Sequence, residues 1–316
     1  MHEPSEQAMR PEPPDPVGEI GPGDRGRSPG PLRLGRREFA VREPVVMAIV
    51  NRTPDSFYDR GATWAEDLAF DRVARVVEEG AEIVDIGGVK AGHGDPVDAA
   101  EEQHRVVGFV ARVRASYPDL VISVDTWRAE VGRAACEAGA DLLNDAWGGF
   151  DPGLAEVAAE FGAALVCAHT GGLAPRSTPH RVEYGDVVRD AVDSTVAQAE
   201  RAVRVGVDPR SVLIDPAHDF GKTTFHSLEL TRRLSEMTAT GWPVLVSLSN
   251  KDFVGETLDL PVGGRLAGTL AVTALSALAG ARVFRVHEVA PSRQVVDMVR
   301  SVAGWRLPAR AVRGLA

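Results

Sequence analysis

The sequence predicts a single (β/α)8 TIM barrel, and three observations carry that reading. Eight short β-branched or aliphatic runs recur between residues 45 and 286, and an amphipathic stretch follows each of them. The first strand–helix turn, from Asn51 to Thr63, has no G-x-G-x-x-G and is too long for that fingerprint, which weakens the competing doubly wound sheet. The strands are expected, in order, at 45–50, 82–86, 121–124, 141–143, 163–167, 212–214, 244–246 and 282–286. The helices are expected near 65–79, 97–115, 128–138, 152–161, 186–205, 226–239, 263–279 and 291–303. Within 71–77 and 106–113 the apolar residues recur at helical spacing.

The flanks differ in kind from this repeat. Residues 1–43 carry eight prolines with glycines and mixed charges between them and show no periodic apolar face, so a disordered arm is expected there. The barrel is expected to fill 44–307, and 308–316 to form a short frayed tail. No apolar run approaches the ~18 residues that span a bilayer, and the N-terminus has no secretory pattern, so a cytoplasmic protein is expected. Cys136 and Cys167 are the only cysteines and form no C-x-x-C pair, which speaks against a disulfide scaffold or a zinc ribbon. A net charge of −10 argues against nucleic acid or an anionic membrane as the main partner. The 35 basic residues include only three lysines, Lys90, Lys222 and Lys251, which marks those positions for attention.

Active sites of such barrels form at the C-terminal ends of the strands. Those ends are polar in this chain: N-R-T-P-D-S-F from Asn51, G-G-V-K-A-G-H-G from Gly87, S-V-D-T ending at Thr126, and N-D-A-W-G-G from Asn144. They continue with A-H-T-G-G from Ala168, D-P-A-H-D-F-G-K from Asp215, S-L-S-N-K ending at Lys251, and R-V-H-E-V from Arg285. Asp125 or Asn144 alone could be a helix cap, but eight polar strand ends together indicate a binding mouth. Asp125 and Asp215 suit the N–H edge of an amino-heterocycle, and Asn144 can both donate and accept. Arg285 and His287, beside Asn51, offer charge-assisted donors to a phosphate. Neither a histidine metal cage nor a G-x-S-x-G elbow occurs.

These motifs, in this order from Val45 to Gly304, resemble the dihydropteroate synthase family. That family joins p-aminobenzoate to a hydroxymethyl-dihydropterin pyrophosphate and expels pyrophosphate with magnesium. The resemblance implies that Asp125, Asn144, Asp215 and Lys251 hold the pterin. It implies that Asn51, Arg285 and His287 hold the pyrophosphate, with Asn51 next to Mg2+, and that Phe220 and Ser249 border the p-aminobenzoate site. Lys251, Arg285 and His287 are the catalytic residues it implies, and a homodimer through the last helices is expected, with 266–278 apolar and rich in small residues.

The departures from the family pattern are specific. The loop usually written G-G-E-S-T-R-P-G has Val89, Lys90, Ala91, Gly92 and His93 in place of the glutamate, serine, threonine, arginine and proline. S-R-K-S-F becomes S-N-K-D-F with Asn250, M-H-M becomes A-H-T, and D-P-G-I-G-F becomes D-P-A-H-D-F with His218 and Asp219. The pterin residues are kept while the lid is rewritten, as in the second-copy actinobacterial paralogues regarded as inactive. A degenerate paralogue is therefore expected. An active synthase and a non-enzymatic pterin-binding or regulatory subunit are the alternatives, with a pterin-dependent methyltransferase behind them. Lys90, two positions before the missing arginine, is a candidate partial replacement that would touch an anionic ligand.

Overall fold

The computed structural model describes residues 29–53, 66–90, 95–177 and 182–313. Eight parallel strands form the barrel: β3 (Val45–Asn51), β4 (Ile83–Gly87), β5 (Val121–Asp125), β6 (Leu142–Asp145), β7 (Ala164–Ala168), β8 (Val212–Asp215), β9 (Leu245–Val246) and β10 (Val283–Val286). Each pairs with its neighbours in chain order from β3 to β8, while β10 pairs with both β3 and β9. A parallel bridge from Ile214 to Val244, with Ile214 N–H donating to the Pro243 carbonyl at 2.9 Å, closes the circle between β8 and β9. The expected barrel is therefore present. Its strands are near-continuous Val/Ile/Leu runs because interior side chains bury one face and helices bury the other.

The helices follow the strands as the apolar spacing predicts: α1 (Glu66–Glu78), α2 (Ala99–Ser116), α3 (Ala129–Glu137), α4 (Gly153–Phe161) and α5 (Val187–Arg204). Asp98 and Asp186 start α2 and α5 by accepting the first backbone N–H groups of those helices. The amphipathic stretch near 226–239 is two helices, α6 (Thr224–Arg232) and α7 (Leu234–Thr238), broken at Arg233. A short helix, α8 (Asp252–Leu258), precedes α9 (Leu266–Leu278) and α10 (Val289–Val302) and was not expected. Among the described residues no helix is long and apolar enough to cross a membrane.

The arm expected to be disordered through residue 43 is ordered over its last part. β1 (Leu32–Leu34) and β2 (Arg37–Phe39) form an antiparallel hairpin beneath the barrel. Their alternation puts Leu32, Leu34 and Phe39 on one face, too short a pattern to signal a strand by itself. Those three pack fully buried against the interior residues at the barrel base, Val45, Met47, Ile83, Val121, Leu142, Leu213, Leu245 and Val283. Arg282 ties the hairpin down, donating to the carbonyls of Gly30 (2.7 Å), Phe39 (3.0 Å) and Ala40 (2.7 Å). Residues 1–28 and 314–316 of the expected arm and tail lie outside the described residues, and 308–313 are exposed without regular structure.

The hairpin seals an apolar opening that would otherwise face water. Phe39→Ala is expected to cost about 3–5 kcal/mol, as buried aromatic truncations do. Guanidinium unfolding measures this, and a loss below about 1 kcal/mol would show that the base does not depend on the plug.

Candidate functional site

Inside the barrel the side chains change from apolar at the base to polar at the C-terminal mouth. Strand register sets Asn51 opposite Gly87, Gly87 opposite Asp125, and Asp125 opposite Asn144, so four strand ends share one level. A Cβ on Gly87 would lie 3.7 Å from Asp125 Cβ and 3.9 Å from Asn51 Oδ1; the bare glycine leaves the space that these two side chains flank. Asn51, Asp125, Phe220, Lys251, Arg285 and His287 are all half-buried at this mouth, while most of the strand residues below them are buried.

One level down, Asp85 is fully buried and organises the group. It accepts hydrogen bonds from Ser123 Oγ (2.6 Å), Asn144 Nδ2 (3.2 Å) and Arg285 Nε (2.6 Å). Arg285 Nη2 also donates to Asp125 Oδ2 at 2.9 Å. Both carboxylates hold the guanidinium above its usual pKa against the cost of burial. Asp125 is pushed up to about 7, because burial and the neighbouring carboxylates outweigh Arg285. Asp215 is pushed up to about 6 by burial and accepts the Ala217 N–H at 2.7 Å. Sequence reasoning missed Asp85. Its signal was a lone carboxylate inside the apolar run I-V-D-I, where a buried charge requires a partner.

The opposite wall is aromatic. Trp127 meets Trp147 edge-on at 6.2 Å, Trp147 meets Phe220 edge-on at 5.2 Å, and Lys251 Nζ lies 4.4 Å from the Phe220 ring centroid. Lys222 fixes the loop that carries Phe220. Its ammonium donates to the carbonyls of Phe220 (2.7 Å), His169 (2.8 Å) and Ala217 (3.1 Å), and burial brings its pKa down to about 7. Of the three lysines, Lys222 is thus a backbone clamp, Lys251 faces the mouth, and Lys90 is half-buried just beyond β4. The altered positions Ala91, Gly92 and His93 lie outside the described residues.

His287 corrects one expectation. Burial first, then Arg285, Arg72 and Lys251, push it down to about 3, so it is neutral at pH 7 and is no charged donor to a phosphate. Its Nδ1 lies 2.9 Å from Ser249 Oγ, and Arg72 donates to its carbonyl. Ser249 Oγ and Asn250 Nδ2 both donate to the Glu288 carboxylate, at 3.2 Å and 3.1 Å. Asn250, standing where the family pattern has an arginine, is bonded to Glu288, and Arg265 holds its loop. Arg265 Nη1 donates to the Asn250 carbonyl (2.9 Å) and the Asp252 carboxylate (2.8 Å), with its guanidinium occupying the place a Cβ on Gly255 would take.

Magnesium, expected at Asn51, would find one amide oxygen there, because the Asp85 and Asp125 carboxylates at the same mouth are bonded to Arg285. Among the described residues no three His, Cys, Asp or Glu side chains gather as a metal cage. This donor set fits an ion that arrives on a phosphate ligand and keeps most of its water.

Residues 47–287 match the family of pterin binding enzymes. An inactive dihydropteroate synthase 2 of Mycobacterium tuberculosis is 60% identical over 284 residues, which cover 89% of each chain. The dihydropteroate synthase of Yersinia pestis, solved as a sulfonamide drug complex, superposes with a TM-score of 0.80 at 32% identity, covering 86% of this chain and 98% of that one. That of Xanthomonas albilineans with 4-aminobenzoic acid gives 0.78 at 36% identity, covering 87% and 98%.

Removing Arg285 leaves two carboxylates without their cation. Arg285→Met is expected to cost about 3–5 kcal/mol at neutral pH, as breaking a buried pair does. Without the guanidinium the folded-state pKa of Asp125, already raised, rises further above the unfolded value. A carboxylate raised in this way loses its contribution to stability as pH rises, so the deficit should shrink toward about pH 5. Chemical unfolding of both proteins across that range checks the sign, and a deficit that grows on acidification contradicts it.

Proposed function

The chain belongs to the pterin-binding enzyme family, and from that premise we propose that it is a degenerate dihydropteroate synthase, keeping the pterin pocket but condensing p-aminobenzoate weakly or not at all. The observation that carries this reading is an asymmetry. Asp125, Asn144, Asp215 and Lys251 stand at one mouth with polar groups directed at it, while the loops around them have lost an arginine to Asn250 and another to Gly92. Asp125 and Asp215 accept the donor edge of the pterin, and Asn144, oriented by Asp85, keeps its carbonyl oxygen for the ligand. Lys251 and Arg285 supply positive charge where a leaving pyrophosphate develops negative charge, and His287 adds a neutral N–H. Asn51 would be the protein ligand of a magnesium ion carried in on the pyrophosphate, and such an ion would supply part of the charge neutralisation there. What the sequence lacks is the family's loop arginine, with Gly92 in its place, and with it one positioned cation at the reacting centre.

Two further parts of this proposal rest on surface and charge. The outer sides of α9 and α10 expose Leu266, Leu275, Leu278, Met298 and Val302, an apolar surface that suits a second copy of the chain. A homodimer mass in light scattering at micromolar protein is expected, and a monomer mass refutes it.

Pterin affinity should follow the two raised carboxylates. Only ionised Asp125 and Asp215 accept the ligand's N–H groups without competition from their own proton, so binding should tighten from about pH 5 to about pH 8. Asp125→Ala should weaken binding by about 1–3 kcal/mol at the upper pH, through ligand donors left unpaired. Calorimetry with the hydroxymethyl pterin and its pyrophosphate measures both effects. A wild-type protein that binds neither ligand rejects the retained pocket.

Condensation should be slower than that of an intact synthase by about a hundredfold or more, the scale of losing one positioned cation or closing step. Turnover with p-aminobenzoate and rescue of a synthase-deficient strain are the measurements. Normal turnover, or rescue by this gene alone, rejects the degenerate reading.

A further inference from the structure

Three carboxylates crowd the rim where the loops after β8, β9 and β10 meet. Asp219 Oδ2 accepts the Asp252 N–H at 2.7 Å, and Glu288 is bonded to Ser249 and Asn250 in the loop that leads into Asp252. Two cations answer them. Arg265 is bonded to Asp252, and Lys251 Nζ lies 4.4 Å from the ring centroid of Phe220, the residue next to Asp219, whose charge favours the ammonium.

Asp219 is pinned in place. Its backbone is left-handed at φ 70°, a conformation that an aspartate tolerates better than most residues but still at a cost. The side chain offsets that cost: its carboxylate also accepts from Ser227 Oγ (3.2 Å) and approaches the Phe253 N–H (3.4 Å), while its own N–H donates to Ser227 Oγ (3.1 Å). A carboxylate held by this many partners does not swing away when a ligand arrives. Phe220, the next residue, forms the aromatic face on which Lys251 lies. This wall therefore offers a second substrate an aromatic surface and one ammonium whose charge Asp219 offsets in part. An incoming carboxylate would meet a fixed like charge, whereas an amide or amidinium would meet an acceptor.

We infer that this wall accepts an uncharged or cationic aryl amine in preference to an aryl carboxylate, and that Asp219 is the residue that sets the preference. The inference rests on the pterin-pocket reading proposed above, since it concerns the ligand that binds beside the pterin.

The test uses the full chain saturated with the hydroxymethyl pterin, titrated by calorimetry with p-aminobenzoate, p-aminobenzamide and p-aminobenzamidine. The amide and amidine are expected to bind about tenfold or more tighter than the acid, the scale of one like-charge contact at a partly screened site. Asp219→Asn keeps the size, tolerates the same backbone and can still accept the Asp252 N–H; it should bring the three affinities within about threefold. Asp252→Asn, whose carboxylate is bonded to Arg265, should leave the wild-type ratio within about twofold. Pterin titration of each variant reports that its site is folded. Overturning results are equal affinities in the wild type, tighter binding of the acid, a ratio unmoved by Asp219→Asn, or no aryl amine bound to the pterin-loaded protein. Failure to bind the pterin at all is a separate outcome, which rejects the pocket and this inference with it.

Discussion

The guanidinium of Arg285 between Asp85 and Asp125 is the interaction on which the mouth of the barrel depends. A carboxylate as buried as Asp85, above a base lined by apolar residues such as Val45, Met47, Ile83, Leu142 and Leu213, is tolerable only when paired and fully hydrogen-bonded. Arg285 supplies the charge, and Ser123 and Asn144 supply the remaining donors. The consequence reaches the ligand side. Asn144 has its amide nitrogen committed to Asp85, and Asp125 is held at the level of Asn51 by the same cation. Support and binding surface are thus one hydrogen-bonded unit, spread over four strands that are distant in sequence.

The loops after β8 and β9 work on a different principle. Ala217, Asp219 and Asn250 all have left-handed backbones without being glycine. Each such turn is held by nearby bonds: Lys222 on the Ala217 carbonyl, the helix α8 amides on Asp219, and Arg265 on the Asn250 carbonyl. Two of these positions are glycines in the family pattern D-P-G-I-G-F, so the loop path survived while its chemistry changed. Different side chains on the same backbone path change what the loops can bind without changing the fold that carries them. The shared fold with active synthases therefore says little about turnover, which resides in the loops.

Much of this protein was readable before its structure. The eight strands and most helices fell where apolar periodicity put them, because a parallel barrel forces long apolar runs onto strands and a one-sided stripe onto helices. The mouth residues were readable because the barrel gathers its strand ends whatever the loops contain. The misses share a cause. The hairpin Leu32–Leu34 and Arg37–Phe39 carries only three buried side chains, and Asp252–Leu258 is a helix of under two turns capped by a residue from another loop. Neither has a local pattern long enough to be seen, and both exist because the barrel offers them a surface.

By itself the sequence determined the barrel, its strand order and the set of polar groups at its mouth, since these follow from the periodicity of apolar residues and from their place at strand ends. Charge state and commitment were decided only by tertiary structure. His287 is neutral because burial and three cations surround it, Lys222 is a clamp because three carbonyls converge on it, and Asp85 governs the site from beneath. Each of these depends on groups brought together from separate strands and loops, and desolvation and Coulomb energy act through that distance rather than along the chain.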